Sequence, residues 1–325
     1  MHPAFSVIFL TTLIGAGQGL FLALFTGQSY SAVQLVPTQD STAFYGLGGI
    51  IALTFLVGGL IASFFHLGRP ERAWRSAAMW RTSWLSREVI VLPTLMGLIF
   101  VYSLMHFFEW DTVLYTSKAG TTLQLSLVVG AAAMLVTFLL FICTSMIYAT
   151  IKFLQEWACA LTVANYLLLG TASGFTLAAA FASANAPDLL GLYANWAIII
   201  TAAAFITRGG SLIRNARIKA TSTIQSAIGI RHPKIQQKAM GMQGGSMNTR
   251  DFFHHKSIAF MKIIKWSFMI LVFPVPIILL WVGEASDSTS ILLGAFIIQY
   301  IGLIAERWFF FAQANHPQNL YYQTT

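Results

Sequence analysis

The chain has 325 residues, of which 57% are hydrophobic and only 9% are charged. Soluble domains carry about 25% charged residues, so composition excludes a soluble globular protein and indicates an integral membrane protein. The net charge of +8 is not a nucleic-acid signal. It is concentrated beside apolar segments, where anionic lipid heads or an acidic partner surface would attract it.

A bilayer core takes roughly 20 helical residues to cross. Such stretches lie near 5–27, 44–65, 88–108, 121–148, 160–184, 188–207, 260–282 and 290–311. The expected architecture is an all-α bundle of eight transmembrane helices, a single transmembrane domain over 1–325, with one long loop (208–259) between helices 6 and 7. The opening MHPAFSVIFL has no Lys or Arg before its apolar run and no small-residue cleavage site. Segment 5–27 is therefore expected to remain a membrane helix rather than act as a leader. Glycines in GAGQG (15–19), GLGG (46–49) and GTASG (170–174) are read as places where helix backbones approach closely. Pro93 in the third helix, and Pro274 with Pro276 in the seventh, are tolerable where neighbours satisfy the freed backbone groups.

The link after the second helix, HLGRPERAWRSAAMWRTSWLSRE (66–88), is the densest polar cluster. His66 is expected to end the second helix. Glu88 is expected to open the third, with Ser86 as its cap. One reading makes Glu88 a helix-dipole residue and His66 an interfacial residue without a task. The other uses both. A quinone needs a flat apolar slot, hydrogen-bond partners for its oxygens and a proton route. Histidine can donate a hydrogen bond and change charge near neutral pH, and a carboxylate beside it can pass protons. Trp74, Trp80 and Trp84 suit the headgroup region and could wall such a slot.

Other ionisable groups inside membrane segments are costly and usually have a task. Glu306 and Arg307 are read as a structural ion network holding helix ends together. Lys152 and Glu156 are read as a further pair on one helical face, by their four-residue spacing. Cys143 and Cys159 do not have the four-cysteine spacing of an iron–sulfur cluster. No two histidines fall on facing helices at similar mid-membrane depth, so neither a cluster nor haem is expected in this chain. The adjacent His254 and His255 are weak grounds for a metal site, and none is expected.

Sorting the 19 Lys and Arg by loop puts 18 on one side and only Lys118 on the other. Basic loops stay cytoplasmic. The expected setting is the inner (cytoplasmic) membrane of a bacterium, with both termini and the 208–259 loop facing the cytoplasm. That loop is about 50 residues long, and loops of such length are usually functional or disordered. It mixes aromatics and methionines with its basic charge. Arg250, Phe252, Phe253 and His254 are its candidate contacts with a cytoplasmic partner protein. Two other readings stay open. A secondary transporter fits the seventh-helix prolines weakly and would purify alone. A pure scaffold would have no quinone site.

The run HLGRPERAW…TSWLSREV resembles the membrane-anchor subunits of the dimethyl sulfoxide reductase type. There a His-Leu-Gly at one helix end is followed about twenty residues later by a Ser-x-Glu that opens the next. The opening MHPAFSVIFLTTLIGAGQGL, the segment SMIYATIKFLQEWACALTVANYLLLG, the piece MGMQGGSMNTRDFFHHKS and the tail AERWFFFAQANHPQNLYYQ are most similar to its sulfite dehydrogenase branch, whose catalytic subunits face the cytoplasm. The resemblance implies a three-subunit complex: a molybdopterin catalytic subunit, an iron–sulfur subunit with four-iron clusters, and this anchor exchanging electrons with ubiquinone or menaquinone. It assigns the quinone site and proton relay to His66, Glu88 and Arg72. An anchor of a related dimethyl sulfoxide or polysulfide reductase, using quinol, is the alternative it leaves open.

Overall fold

The computed structural model describes residues 1–110, 112–116, 122–219, 223–236 and 254–317. Among the described residues, eight helical spans are long and apolar enough to cross a membrane. They are α1 (Phe5–Ala32), α2 (Leu47–Phe64, entered through a π turn at Ser41–Gly46), α3 (Trp84–Phe107), α4 (Leu125–Ala149), α5 (Ala160–Asn185) and α6 (Leu190–Ala216), then a seventh span in two pieces, α8 (Ile258–Val272) and α9 (Pro274–Ala285), and finally α10 (Thr289–Ala312). The short α7 (Ile224–Ile228) lies in the long loop. Thr223 and Ser226 cap it reciprocally, and Gly229 ends it in the left-handed region at φ 73°.

The division of the seventh span follows from Pro274. Its ring collides with the preceding turn and it offers no N–H. Phe273 leaves helical geometry at φ −111° and ψ −78°, and α9 restarts with the proline in its first turn. One local element was not expected from the sequence. Val113–Thr116 pairs antiparallel with Thr122–Gln124, so the fourth span begins at Leu125 rather than near residue 121.

The most enclosed span is α1, with 78% of its apolar window buried against 28% for α2. Its small residues are the cause. Gly15 and Gly19 of α1 meet Gly170 and Gly174 of α5 so closely that a methyl on Gly174 would overlap the backbone of Gly19 and Leu20. In lipid, helices associate through such packing rather than through hydrophobic expulsion. Leu20, Phe21, Leu24, Leu56, Leu95 and Tyr102 build the core around this contact. Gly174→Ala is therefore expected to destabilise the detergent-solubilised protein by about 1–3 kcal/mol, read as a fall in Tm. Gly97→Ala, where a methyl meets nothing within 4 Å, is the matched control and should produce no fall.

An even number of spans returns the chain to its starting side. The Met1 ammonium donates to the Ala314 carbonyl at 2.9 Å. Burial pulls that ammonium down to about 6, against the opposing field of Glu156.

Three expectations need correction. Lys152 and Glu156 do not share a helix face, because residues 150–159 form a turn-rich link between α4 and α5. The link is tied down elsewhere, with the Trp157 indole donating to the Phe310 carbonyl at 2.9 Å and Asn215 to the Glu156 carbonyl at 3.4 Å. Arg208 is not a loop residue. It lies within α6, which runs on to Ala216, so the polar loop begins after that helix. A hydropathy reading ends a span at its first charge, and here that charge is paired inside the bundle. α3, too, starts at a different residue from the one expected.

Candidate functional site

α3 begins at Trp84 and is capped by Ser83, whose hydroxyl accepts from the Ser86 amide at 3.4 Å. Ser86 is therefore a buried first-turn residue and not the cap. Ser83 has the extended backbone a cap requires, at φ −108° and ψ 125°. Arg87 locks the approach to the helix. Its guanidinium lies 4.2 Å from the Trp84 ring, and it donates to the carbonyls of Trp80 and Arg81 at 2.9 and 2.8 Å.

This start carries Glu88 about 6 Å into the bundle, at 1.5 Å per residue from Trp84. The carboxylate is buried, and Thr144 of α4 donates to its Oε1 at 2.5 Å. Glu88 also lines a cavity of about 20 Å³ whose walls include Thr11, Thr12, Thr144, Tyr166 and Arg307. That volume suits a single water.

Across the cavity stands an ion cluster on α6 and α10. Arg208 Nε lies 2.7 Å from Glu306 Oε1, and Arg307 Nη1 lies 3.2 Å from Glu306 Oε2. The Glu306 carboxylate has no solvent exposure. The Arg307 guanidinium also sits 3.7 Å from the centroid of the Tyr166 ring. Counted along their helices from Ala216 and Ala312, Arg208 and Glu306 lie roughly 12 and 9 Å inside the ends. Glu88, Thr144, Tyr166 and these three charges thus form one polar layer at similar depth. The pairing of Glu306 with Arg307 was legible in the sequence. The third member, Arg208, was missed, because its partner is 98 residues away.

The other predicted residues lie outside this layer. His66 sits two residues past the end of α2 with much of its surface in solvent, and the protein on its other side lowers its imidazole pKa below the ordinary 6.5 by desolvation. Pro70–Met79 forms a 3₁₀ segment that packs on α3 and carries Arg72 and Trp74. Arg72 approaches Glu71 at 3.9 Å with both side chains exposed, a contact worth little. Trp74 and Trp80 are 72% and 54% exposed, each with a neighbouring arginine, Arg75 or Arg81, near its ring. None of His66, Arg72, Trp74, Trp80 or Trp84 lines the Glu88 cavity.

A membrane-embedded carboxylate, backed by paired arginines and fronted by a basic, tryptophan-rich segment, is one helix turn from the aqueous face. The dimethyl sulfoxide reductase anchor subunit (DmsC) family model matches residues 1–312. The chain belongs to that family. It is 52% identical over 324 residues to a sulfite dehydrogenase subunit of Allochromatium vinosum, covering 100% of this chain and 99% of that one. The protein is therefore a multi-pass membrane anchor of an oxidoreductase complex, which sets aside the transporter reading.

The anchor has a second polar cluster, at the opposite end of α3. His106 is buried there. Its Nδ1 is 2.7 Å from Ser41 Oγ, and its Nε2 is 3.1 Å from the Gln28 amide. Tyr102 donates to Gln28 Oε1 at 2.9 Å. Gln28, Ser41 and His106 border a cavity of about 340 Å³, and His106 is separated from Glu88 by about 27 Å along the helix. Sequence reading placed His106 but missed the cluster. The available signal was Gln28, a polar residue late in an apolar span. Of the proposed docking contacts, Arg250, Phe252 and Phe253 lie outside the described residues. His254 is partly buried, which lowers its imidazole pKa, and its Nδ1 accepts from the Lys256 amide at 3.1 Å.

Proposed function

We propose that this chain anchors a molybdenum iron–sulfur sulfite dehydrogenase to the bacterial inner membrane and passes its electrons to the quinone pool. The observation that carries the quinone half is Glu88, a buried carboxylate one turn inside α3 behind an exposed basic and aromatic segment. The full-length similarity to a sulfite dehydrogenase subunit supports the substrate. It also supports two partners, a molybdopterin catalytic subunit and an iron–sulfur subunit, docked on the basic face with Arg250, Phe252, Phe253 and His254 among the contacts.

The residues present set limits on how a quinone binds. The cavity beside Glu88 holds about one water, so the ring does not enter it. On this reading the ring would lie against the 66–84 segment, with His66 and Arg72 as the partners of its oxygens. The exposure of Trp74 and Trp80 fits a slot whose remaining wall is supplied by a partner subunit or lipid. Glu88 then serves as the proton donor from behind.

The reaction balances on one face. Sulfite and water give sulfate, two electrons and two protons, and the quinone takes up two of each to become quinol. With both half-reactions on the cytoplasmic side, turnover moves no net charge and does not draw on the roughly 2.3 kcal/mol per charge that 100 mV represents. Complex reconstituted in proteoliposomes should therefore reduce quinone without building a potential. Potential generation would refute this placement.

His66 supplies a pH test. Partial burial disfavours the imidazolium, so the group titrates below its ordinary 6.5 and is neutral at pH 7. His66 should account for a limb in the pH profile of quinone reduction lying below pH 6.5. His66→Gln is expected to remove that limb, and an unchanged profile would take His66 out of the site.

A further inference from the structure

Tyr166 has no part in the quinone reaction as proposed so far. It is 3% exposed, it lines the Glu88 cavity, and its hydroxyl makes no hydrogen bond of good geometry among the described residues, the Tyr148 hydroxyl coming near enough for only a weak one. The Tyr148 ring stacks on it with centroids 5.7 Å apart. A buried hydroxyl left unpaired costs about 1–3 kcal/mol, and such groups are normally satisfied by protein or by water. The cavity has room for about one water. It also has the two to four polar partners that a water requires, in the Thr11, Thr12 and Thr144 side chains, Glu88 and Tyr166 itself.

Tyr166 is also held more firmly than packing alone requires. Arg307 lies 3.7 Å from its ring centroid, and Arg307 is in turn fixed by Glu306 at 3.2 Å. Phe310 meets the ring edge-on at 5.7 Å. The buried ion cluster therefore holds the ring of a tyrosine that lines the carboxylate's cavity.

We propose that Tyr166 positions a water that reprotonates Glu88. Tyr166 donates to the water oxygen and leaves both water protons free for acceptors, one of them the Glu88 carboxylate. When Glu88 gives its proton to a reduced quinone oxygen, the water passes one to Glu88 and regains one from the aqueous phase on the same side. No electron moves in this step, and Tyr166 ends as it began. Tyr166 is a positioning residue, acting on turnover through Glu88. Its role in turnover rests on the proposed quinone reaction; the water site does not.

Tyr166→Phe removes one oxygen and keeps the ring, its aromatic contacts and the face presented to Arg307. In the assembled complex this variant should lower kcat for quinone reduction by about tenfold with KM for quinone unchanged. In a Glu88→Gln background the same change should have no further effect, since groups that act as a unit are not additive. The variant should also melt below the parent, because the water loses a partner. If Tyr166→Phe is fully active, or melts at or above the parent, the hydroxyl holds no water and the proposal is overturned. It is also overturned if Tyr148→Phe reproduces the loss, because Tyr148 would then be the missing partner. If Glu88→Gln leaves quinone reduction intact while Tyr166→Phe still lowers Tm, the quinone reading fails and the water site stands.

Discussion

Glu88→Gln is expected to slow quinone reduction by the assembled complex by about a hundredfold or more, the range that a positioned proton donor contributes. Dye-linked sulfite oxidation, which bypasses the anchor, should stay at the parental rate. Glutamine suits the test because its carbonyl oxygen can keep the hydrogen bond from Thr144 that Glu88 Oε1 accepts at 2.5 Å, and its size leaves the cavity wall in place. It loses only the capacity to take and release a proton. Three outcomes separate the roles. Slow quinone reduction with normal assembly and normal dye-linked activity supports the relay. Failure to assemble assigns Glu88 to packing between α3 and α4. Normal activity in both assays removes Glu88 from the reaction.

The eight spans, the glycines where helix backbones come close and the prolines of the seventh helix were legible in the sequence, each for a local reason; that Gly15 and Gly19 meet Gly170 and Gly174, and that the seventh span divides at Pro274, were not. A run of apolar residues, a small residue at helical spacing and a proline all act within a few residues of themselves. The Glu306–Arg307 pair was legible as charges set inside an apolar run, and Glu88 as a carboxylate at the start of the third helix, though not its burial inside the bundle. What was not legible depends on which helices meet. Arg208 looked like the first residue of a loop because its anion is on α10. Tyr166 looked like one more aromatic in an apolar helix, and only the meeting of α1, α3, α4, α5 and α10 shows that it lines a carboxylate's cavity. The Ser83 cap was missed by three residues for a smaller reason. Both Ser83 and Ser86 are competent caps, and the choice depends on where the preceding 3₁₀ segment releases the chain.

Glu306→Ala should be the most damaging single change to the fold. Glu306 sits between Arg208 at 2.7 Å and Arg307 at 3.2 Å, and Arg208 is only 1% exposed. Without the carboxylate, two guanidinium groups face each other inside the bundle. Breaking a buried ion pair from one side costs about 3–5 kcal/mol. The contacts of Arg307 with Tyr166 and of Arg208 with Phe268, the latter at 5.4 Å, return about 2 kcal/mol each and do not replace the lost anion. Neither arginine can deprotonate in compensation. The variant is expected to be largely lost from membranes, measured as anchor recovered after mild detergent extraction. Replacing all three charges together, with Arg208→Met, Glu306→Leu and Arg307→Met, removes the unpaired cations as well as the pair. Apolar replacement of buried ion triads is often neutral or stabilising, so this triple variant should be recovered near the parental level. If Glu306→Ala is recovered as well as the parent, the cluster is hydrated enough to dispense with its anion, and the polar layer is not dry. If the triple variant is recovered but reduces quinone slowly, the charges serve turnover by holding Tyr166 beside Glu88 rather than by holding the helices together.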